Sequence, residues 1–519
     1  MVVYRGGIGG LILLLLAMQA PAAEPEALYR QHCQSCHGEN RMGAMGPALL
    51  PESLRRLRQV RAETVIARGR PATQMPGFAG RLTEAEIRAL AAWLYTSPAT
   101  APVWDEARIR ASHRLLQPAS REGETGVSPV YSADPLNLFL VVEGGDHHVT
   151  VLDGDRLEPI TRFRSRFALH GGPKFSPDGR FVYFASRDGW ISKYDLYRLE
   201  LVAEIRAGIN TRNAAVSADG RYVLVGNYLP HTLVLLDAGD LSLLRLIPVR
   251  DDFGNSSRVS AVYSAPPRES FVIALKDLPQ IWELYTADEP PAMFRGLVHD
   301  YHMAEGLAEQ GPFPIRRIPL EDYLDDFFFD QAYTQVIGAS RDGRQGQVIS
   351  LITGARIARL ELPGMPHLGS GITWKWRNTT LLATPHLKEG MISFIDMKSW
   401  NTVKTLKTPG PGFFMRSHEN SPYVWADVFF GSNRDRMLVI DKQSLEIVRT
   451  LVPAPGKTSA HVEFDRHGRY ALVSVWDRDG AVVVYDARTL EEVKRLPMSK
   501  PVGKYNVYNK ITRSEGTSH

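Results

Sequence analysis
From about residue 130 to residue 510 the chain repeats one short pattern, and this restricts its fold more than any other feature. Phe175 to Phe184, Val216 to Val225 and Phe464 to Val473 each carry an Asp-Gly or His-Gly turn followed by an alternating run. A turn followed by period-two alternation predicts a strand entered from a hairpin. Each run leads to another strand that ends in Asp, as in Ile191–Asp195, Leu233–Asp237, Met437–Asp441 and Val482–Asp486. A further strand follows at once, as in Leu445–Leu451. Counting the first strand of each unit gives starts near 138, 181, 221, 271, 335, 380, 422 and 469, hence eight units of about 40 to 50 residues. One longer interval holds an insertion near 297–328. Four-stranded units at this period predict an eight-bladed β-propeller. A blade cannot bury both faces alone, so the ring forms one cooperative domain. Such a ring is a scaffold, and its function must be read from a site.

The rest of the 519 residues is short, and its two cysteines, Cys33 and Cys36, are the only ones in the chain. Two cysteines cannot staple a disulfide scaffold. Cys33, Cys36 and His37 form the C-x-x-C-H sequence of covalent c-type haem. The two thiols add to the haem vinyl groups, and the histidine is placed beneath the iron. A zinc site would need four ligands, and no other cysteine is present to supply them. Arg5, the apolar run Leu11–Leu16 and the small residues Ala20, Pro21, Ala22 and Ala23 read as an export signal. The run is too short for a membrane span, which needs about 20 residues. Export agrees with haem attachment of this kind and places the mature chain in the periplasm, with no transmembrane segment.

Three methionines follow the haem motif. Met42 and Met45 lie just after His37 and are poorly placed to reach the opposite haem face. Met75 sits in a Pro/Gly-broken loop between two helical patterns and is the expected sixth ligand. A thioether there raises the haem potential and favours electron transfer. Thr83 to Glu86 is a capping box ahead of Ile87, Leu90, Ala91 and Leu94 on one helix face. Arg55, Arg56, Arg58, Arg61, Arg68 and Arg70 form a basic stretch, read as a solvated face. The chain thus divides into a signal (1–23), a small all-α cytochrome c domain (24–97), a linker (98–129) and an all-β eight-bladed propeller (130–519). Hydrophobic residues at 44% and charged residues at 23% fit a folded globular protein. The net charge of +4 lacks the dense basic face of a nucleic-acid binder.

This domain order, together with several propeller segments, resembles the cytochrome cd1 family, whose members include nitrite reductases and the dihydro-haem d1 dehydrogenases of haem d1 biosynthesis. Phe167 to His170, followed by Ser186 to Gly189, is similar to the segment carrying the proximal haem d1 ligand, and His170 is the matching histidine. Thr211 to Asn213 resembles the segment whose arginine lies by the haem carboxylates. Met365 to Gly369 resembles the segment supplying a distal-pocket histidine, here His367. Gly503 to Asn509 resembles the terminal propeller strand. Nitrite reductases place a second histidine over the iron, and Phe329 stands at the matching place here. A phenyl ring donates no proton, so the resemblance favours the dehydrogenase branch.

The resemblance implies one covalent haem c, held by Cys33, Cys36, His37 and Met75, and non-covalent dihydro-haem d1 as substrate. His170 would ligate the substrate iron, and Arg212 and Arg187 would pair with its carboxylates. The reaction would turn a propionate side chain into an acrylate in the last step of haem d1 biosynthesis. His367 and His418 are the expected general bases. The electrons would leave through haem c to an external periplasmic acceptor, and nitrite reductase is the expected recipient of the haem. The adjacent pair His147 and His148 points to opposite strand faces and reads as structural. The alternatives are a cytochrome cd1 nitrite reductase, a non-catalytic haem d1 carrier, and a cytochrome joined to an interaction propeller.

Overall fold
The computed structural model describes residues 24–55, 57–70, 75–118, 127–291, 294–295, 307–308, 311–340, 345–513 and 515–516. The expected signal, residues 1–23, lies outside the described residues. So does Arg56 of the basic stretch. No helix among the described residues is long and apolar enough to cross a membrane.

The first unit is helical: α1 (Pro25–His32), α2 (Gln34–His37), α3 (Pro51–Leu54), α4 (Gln59–Arg68) and α5 (Glu84–Leu94). The capping box forms as expected. The Thr83 N–H donates to Glu86 Oε2 at 2.8 Å, and the Glu86 N–H donates to Thr83 Oγ1 at 3.3 Å. Ile87, Leu90, Ala91 and Leu94 of α5 meet Leu28 and Tyr29 of α1 and Ala62 and Ile66 of α4 in one apolar core, with Cys33 at its edge.

Eight sheets form the propeller, seven of four strands and one of five, and the ring closes where Pro501–Asn506 pairs with Leu138–Glu143. Blade 1 is built from Leu138–Glu143, His148–Asp153 and Glu158–Arg164, and its innermost strand is Pro501–Asn506 from the C-terminus. The ladder between Pro501–Asn506 and Leu138–Glu143 is antiparallel. The inner strands of blades 2 to 8 begin at Lys174, Asn210, Val259, Leu324, Ile372, Met415 and Ser459. Each repeat strand counted from the sequence is therefore the second strand of its blade. The inner strands escaped notice because several are short and carry polar residues toward the axis.

Asp residues end the third strands for a definable reason. Asp195 Oδ1 accepts from Tyr197 N–H at 2.8 Å, and Asp441 Oδ1 accepts from Ser444 N–H at 2.7 Å. Such side-chain acceptors close the turn into the fourth strand. Two expectations need correction. The insertion expected at 297–328 is narrower, since Ile315–Pro319 and Leu324–Phe329 are regular blade strands; residues 296–306 and 309–310 lie outside the described residues, and among the described ones a short antiparallel pair, 294–295 with 307–308, stands apart from the blades. The stretch 98–129 is more than a linker. Its helix α6 (Glu106–Ala111) buries Ile109 against blade 2, and Arg114–Leu115 adds a fifth strand to that blade. A final helix, α7 (Val507–Thr512), follows the closing strand.

Candidate functional site
The haem c motif has the geometry that its chemistry requires. His37 is buried and donates Nδ1–H to Pro47 O at 2.8 Å, leaving its Nε2 lone pair for a metal. Burial holds its pKa below the usual imidazole range, so the ring is neutral and able to ligate. Gly46 lies against this ring, and a Cβ there would meet His37 Cε1 at 2.9 Å. Burial beside Cys36 pushes the Cys33 thiol up to about 11. Met42 packs into a cluster with Ala48, Leu50 and the propeller residue Ile209, whereas Met45 is exposed. Neither stands as Met75 does, in the loop that returns against α4, where the Arg70 N–H donates to Met75 O at 3.1 Å. The residues present therefore fit a covalent haem with a histidine on one face.

In the propeller, the ends where the inner strands begin carry the polar groups. Four of these strands hold a β-bulge at their start: the ladder skips Arg212 in blade 3, Ser260 in blade 4, Asp325 and Asp326 in blade 5, and His461 in blade 8. A bulge re-aims a side chain away from the sheet face. Here the skipped Arg212 of blade 3 and Asp326 of blade 5 are brought together across blade 4. His170 precedes the inner strand of blade 2 and donates Nδ1–H to Arg212 O at 2.7 Å. Its Nε2 lone pair accepts from Arg212 Nη1 at 3.2 Å. Arg212 is further fixed by Ser260 O at 2.7 Å and by Asp326 Oδ2 at 3.4 Å. Tyr263 donates to Asp326 Oδ1 at 3.0 Å. Lys174 lies nearby, its pKa lowered to about 8 by burial and by the neighbouring arginines Arg513 and Arg212.

His367 enters from blade 6. It donates Nδ1–H to Phe413 O at 2.7 Å, and its ring centroid lies 4.2 Å from that of Phe413. Its pKa is lowered by burial. His37, His170 and His367 thus share one feature, a backbone carbonyl on Nδ1 that leaves Nε2 as the lone-pair nitrogen, which is how proteins prepare a histidine for a metal, and in His170 that nitrogen is engaged by Arg212. His386 lacks it, because both of its ring nitrogens are engaged, by Pro363 O and by Ser393 Oγ.

Two site residues were not read from the sequence. His461 has φ +54° at its bulge and is 8% exposed, and its Nδ1 has no hydrogen-bond partner among the described residues. Burial, with Lys504 and Arg416 close by, holds its pKa well below the usual range. Tyr505 lies beside it, with ring centroids 5.0 Å apart, and burial pushes its phenol up to about 12. Tyr505 also packs under the His170 turn: Gly172 has φ +67°, and a Cβ on it would lie 2.9 Å from the Tyr505 ring. Lys504 ties this strand to blade 8 through His461 O and Ser474 Oγ. The sequence signal available was the segment Gly503 to Asn509, within which Tyr505 falls.

Other expectations move. His418 lies outside this group. It is five residues beyond Phe413 along an extended segment, about 16 Å at strand spacing. It is fully buried at the opposite end of the blade, where its Nδ1 accepts from Asn420 N–H at 3.1 Å and Gly468 packs on its ring. Phe329 is in the interblade core with Phe327, Val336 and Ala265, and the axial group of that strand is Asp326. Arg187 is half-buried, and its backbone joins the His170 turn to blade 3 through Ala168 O at 3.1 Å and Thr211 N–H at 3.2 Å. His148 pairs with Asp146, and His147 packs on Phe167.

The helical domain docks at this same end of the ring. Arg206 closes the outer strand of blade 2 and donates to Met42 O at 2.5 Å, to Gly43 O at 3.4 Å and to Asp188 O at 2.8 Å. Trp104 stacks on its guanidinium at 4.5 Å.

Residues 133–510 match the Cytochrome D1 heme domain family. The chain belongs to that family. Residues 20–94 match a second family, the cbb3-type cytochrome c oxidase subunit III, in agreement with the helical haem domain. A dihydro-heme d1 dehydrogenase of Pseudomonas aeruginosa is 59% identical over 514 residues, covering 98% of each chain. A nitrite reductase of Stutzerimonas stutzeri is 24% identical, again over 98% of each chain. The solved structure of the dihydro-heme d1 dehydrogenase NirN in complex with DHE superposes with a TM-score of 0.86 at 58% identity, covering 94% of this chain and all of that one. In this chain His170 lies against Arg212, the turn after it packs on Tyr505, Tyr505 lies beside His461, and Phe413 and Phe414 stand between His461 and His367.

Proposed function
We propose that the chain is an oxidoreductase that oxidises dihydro-haem d1 in the last step of haem d1 biosynthesis. The observation that carries this reading is the pairing of two histidines held through Nδ1, His170 and His367, with a buried imidazole, His461, whose Nδ1 has no partner among the described residues, beside the Tyr505 phenol. The cationic surroundings, Arg212, Lys174 and Arg513, suit a macrocycle bearing several carboxylates. The 59% identity to a named dihydro-heme d1 dehydrogenase favours this reading over nitrite reduction.

The propionate CH₂–CH₂ unit becomes CH=CH, and two protons and two electrons are released. His170 Nε2 ligates the substrate iron once Arg212 swings from the imidazole to a substrate carboxylate. His461 is held neutral by burial, so its Nδ1 lone pair is available to accept a proton. Tyr505 remains a phenol at neutral pH and can hold the adjacent group by a hydrogen bond. The closely packed phenyl rings of Phe413, Phe414 and Phe429 exclude water from the His367 side. Haem c, held by Cys33, Cys36, His37 and Met75, supplies a one-electron acceptor. The Arg206 clamp fixes the haem-attachment loop on the site's own end of the ring, which shortens the electron path. The second electron and each regeneration require an external acceptor, which we place in the periplasm together with nitrite reductase as recipient of the product. Residues 1–23 direct the chain there.

Purified protein mixed with dihydro-haem d1 is expected to shift the macrocycle spectrum to that of haem d1 while the c haem is reduced. A stable complex with no shift would replace the dehydrogenase with a carrier. Steady nitrite consumption would make it a nitrite reductase, and no uptake at all would leave an interaction propeller. His170→Ala is expected to weaken substrate binding at least tenfold in a spectral titration.

A further inference from the structure
Asp427 ends the second strand of blade 7 (Tyr423–Asp427), is 2% exposed and makes no ion pair among the described residues. Its carboxylate is spent on backbone. Oδ1 accepts from Phe413 N–H at 2.7 Å and from Phe414 N–H at 3.1 Å. Oδ2 accepts from His461 N–H at 3.4 Å. The Asp427 N–H in turn donates to Phe414 O at 3.2 Å.

These partners matter because of what they carry. Phe413 O is the group that receives His367 Nδ1–H. The His461 N–H is the one the ladder drops, since the register passes from Ala460 opposite Ser474 to Val462 opposite Val473. A buried N–H left without an acceptor would cost about 1–3 kcal/mol. A non-glycine residue in the left-handed region costs about as much again and persists only where its surroundings dictate it. One carboxylate therefore both fixes the carbonyl that orients His367 and holds open the bulge that presents His461. The two histidines come from blades 6 and 8, and Asp427 stands in blade 7 between them.

We propose that Asp427 is a positioning residue that sets the spacing of His367 and His461 across the substrate. The inference rests on the dihydro-haem d1 reading given above. It is specific to a carboxylate. An asparagine has one acceptor oxygen. With that oxygen toward Phe413 and Phe414, its amide nitrogen would face the His461 N–H donor to donor.

The test is Asp427→Asn in the full, c-haem-loaded chain, with dihydro-haem d1 as probe. Substrate uptake is expected to stay within about threefold of wild type, because His170 and Arg212 are untouched. Two readouts are expected to move. The electron paramagnetic resonance signal of the bound, oxidised macrocycle shifts away from the wild-type axial environment, and kcat falls at least tenfold with little change in KM. In a His367→Ala background, Asp427→Asn is expected to leave the axial signal unchanged, because its effect on that signal passes through His367. A lower melting temperature with unchanged spectrum and kcat would overturn the proposal in favour of a purely structural role. Full additivity of the two substitutions on the axial signal would overturn it as well. Should Asp427→Asn fail to fold, hydrogen exchange on wild type decides. Segments 411–416 and 459–464 are expected to gain protection together on substrate binding, and protection of one alone overturns the link. Wild type that binds the macrocycle but never oxidises it would defeat the dehydrogenase reading while leaving the spectroscopic arm intact.

Discussion

At the scale of single residues, the molecule distinguishes its histidines by their second nitrogen. His37, His170 and His367 each give Nδ1–H to a backbone carbonyl, whereas His418 accepts from a backbone N–H at that atom. Sequence can name candidate histidines but not tautomers, because the tautomer is set by a carbonyl from a distant segment. Buried acids show the same dependence on context. Asp188 lies below the Arg206 clamp, and burial lifts its pKa from 3.8 to about 6. The native state thus holds a proton that the unfolded chain has already released between pH ~4 and ~6. Stability is expected to fall as pH rises through that window, by up to about 3 kcal/mol for a shift of about two units. Melting temperatures of wild type and Asp188→Asn, compared between pH 4 and 7, check this. A difference between the two that does not grow as pH falls would refute it.

At the scale of elements, the bulge is the device that makes the site. Arg212, Ser260, Asp326 and His461 all occupy skipped positions at the starts of inner strands. The hairpin turns of the outer blade are legible because Asp and Gly have fixed roles there. A bulge at His461 leaves no such trace, since histidine is not a residue that left-handed backbone demands. This is why the blades could be counted from the chain while His461 and Tyr505 could not be picked from them. His418 shows the converse. It was an expected base, yet it lies only five residues beyond Phe413 and an extended strand carries it to the far end of the blade. His418→Ala is therefore expected to leave turnover of dihydro-haem d1 within about twofold of wild type. It should also lower stability by about 2 kcal/mol or more, through a cavity beside Phe464. A tenfold loss of kcat in the folded variant would return His418 to the site.

At the scale of the whole molecule, two bodies with separate cores share one end of the ring. The cytochrome core of Leu28, Ile66 and Leu90 includes no propeller residue. Truncation after Lys500 removes the inner strand of blade 1, and with it Lys504 and Tyr505. The propeller is expected to lose its cooperative unfolding transition and become protease-sensitive, while the c haem remains covalently attached and spectrally normal. A truncated chain that still melts in one sharp step would contradict this. The haem-attachment sequence and the domain order were legible because each is local. The closure of the ring was not, because it pairs residues more than 350 positions apart, such as Phe139 with Asn506. That pairing also sets a timetable. The cysteines leave the ribosome long before Tyr505, so the substrate site cannot form until the closing strand has been made. A polypeptide cut before that strand cannot sequester a scarce tetrapyrrole it is unable to process, and ring closure becomes the licence to bind.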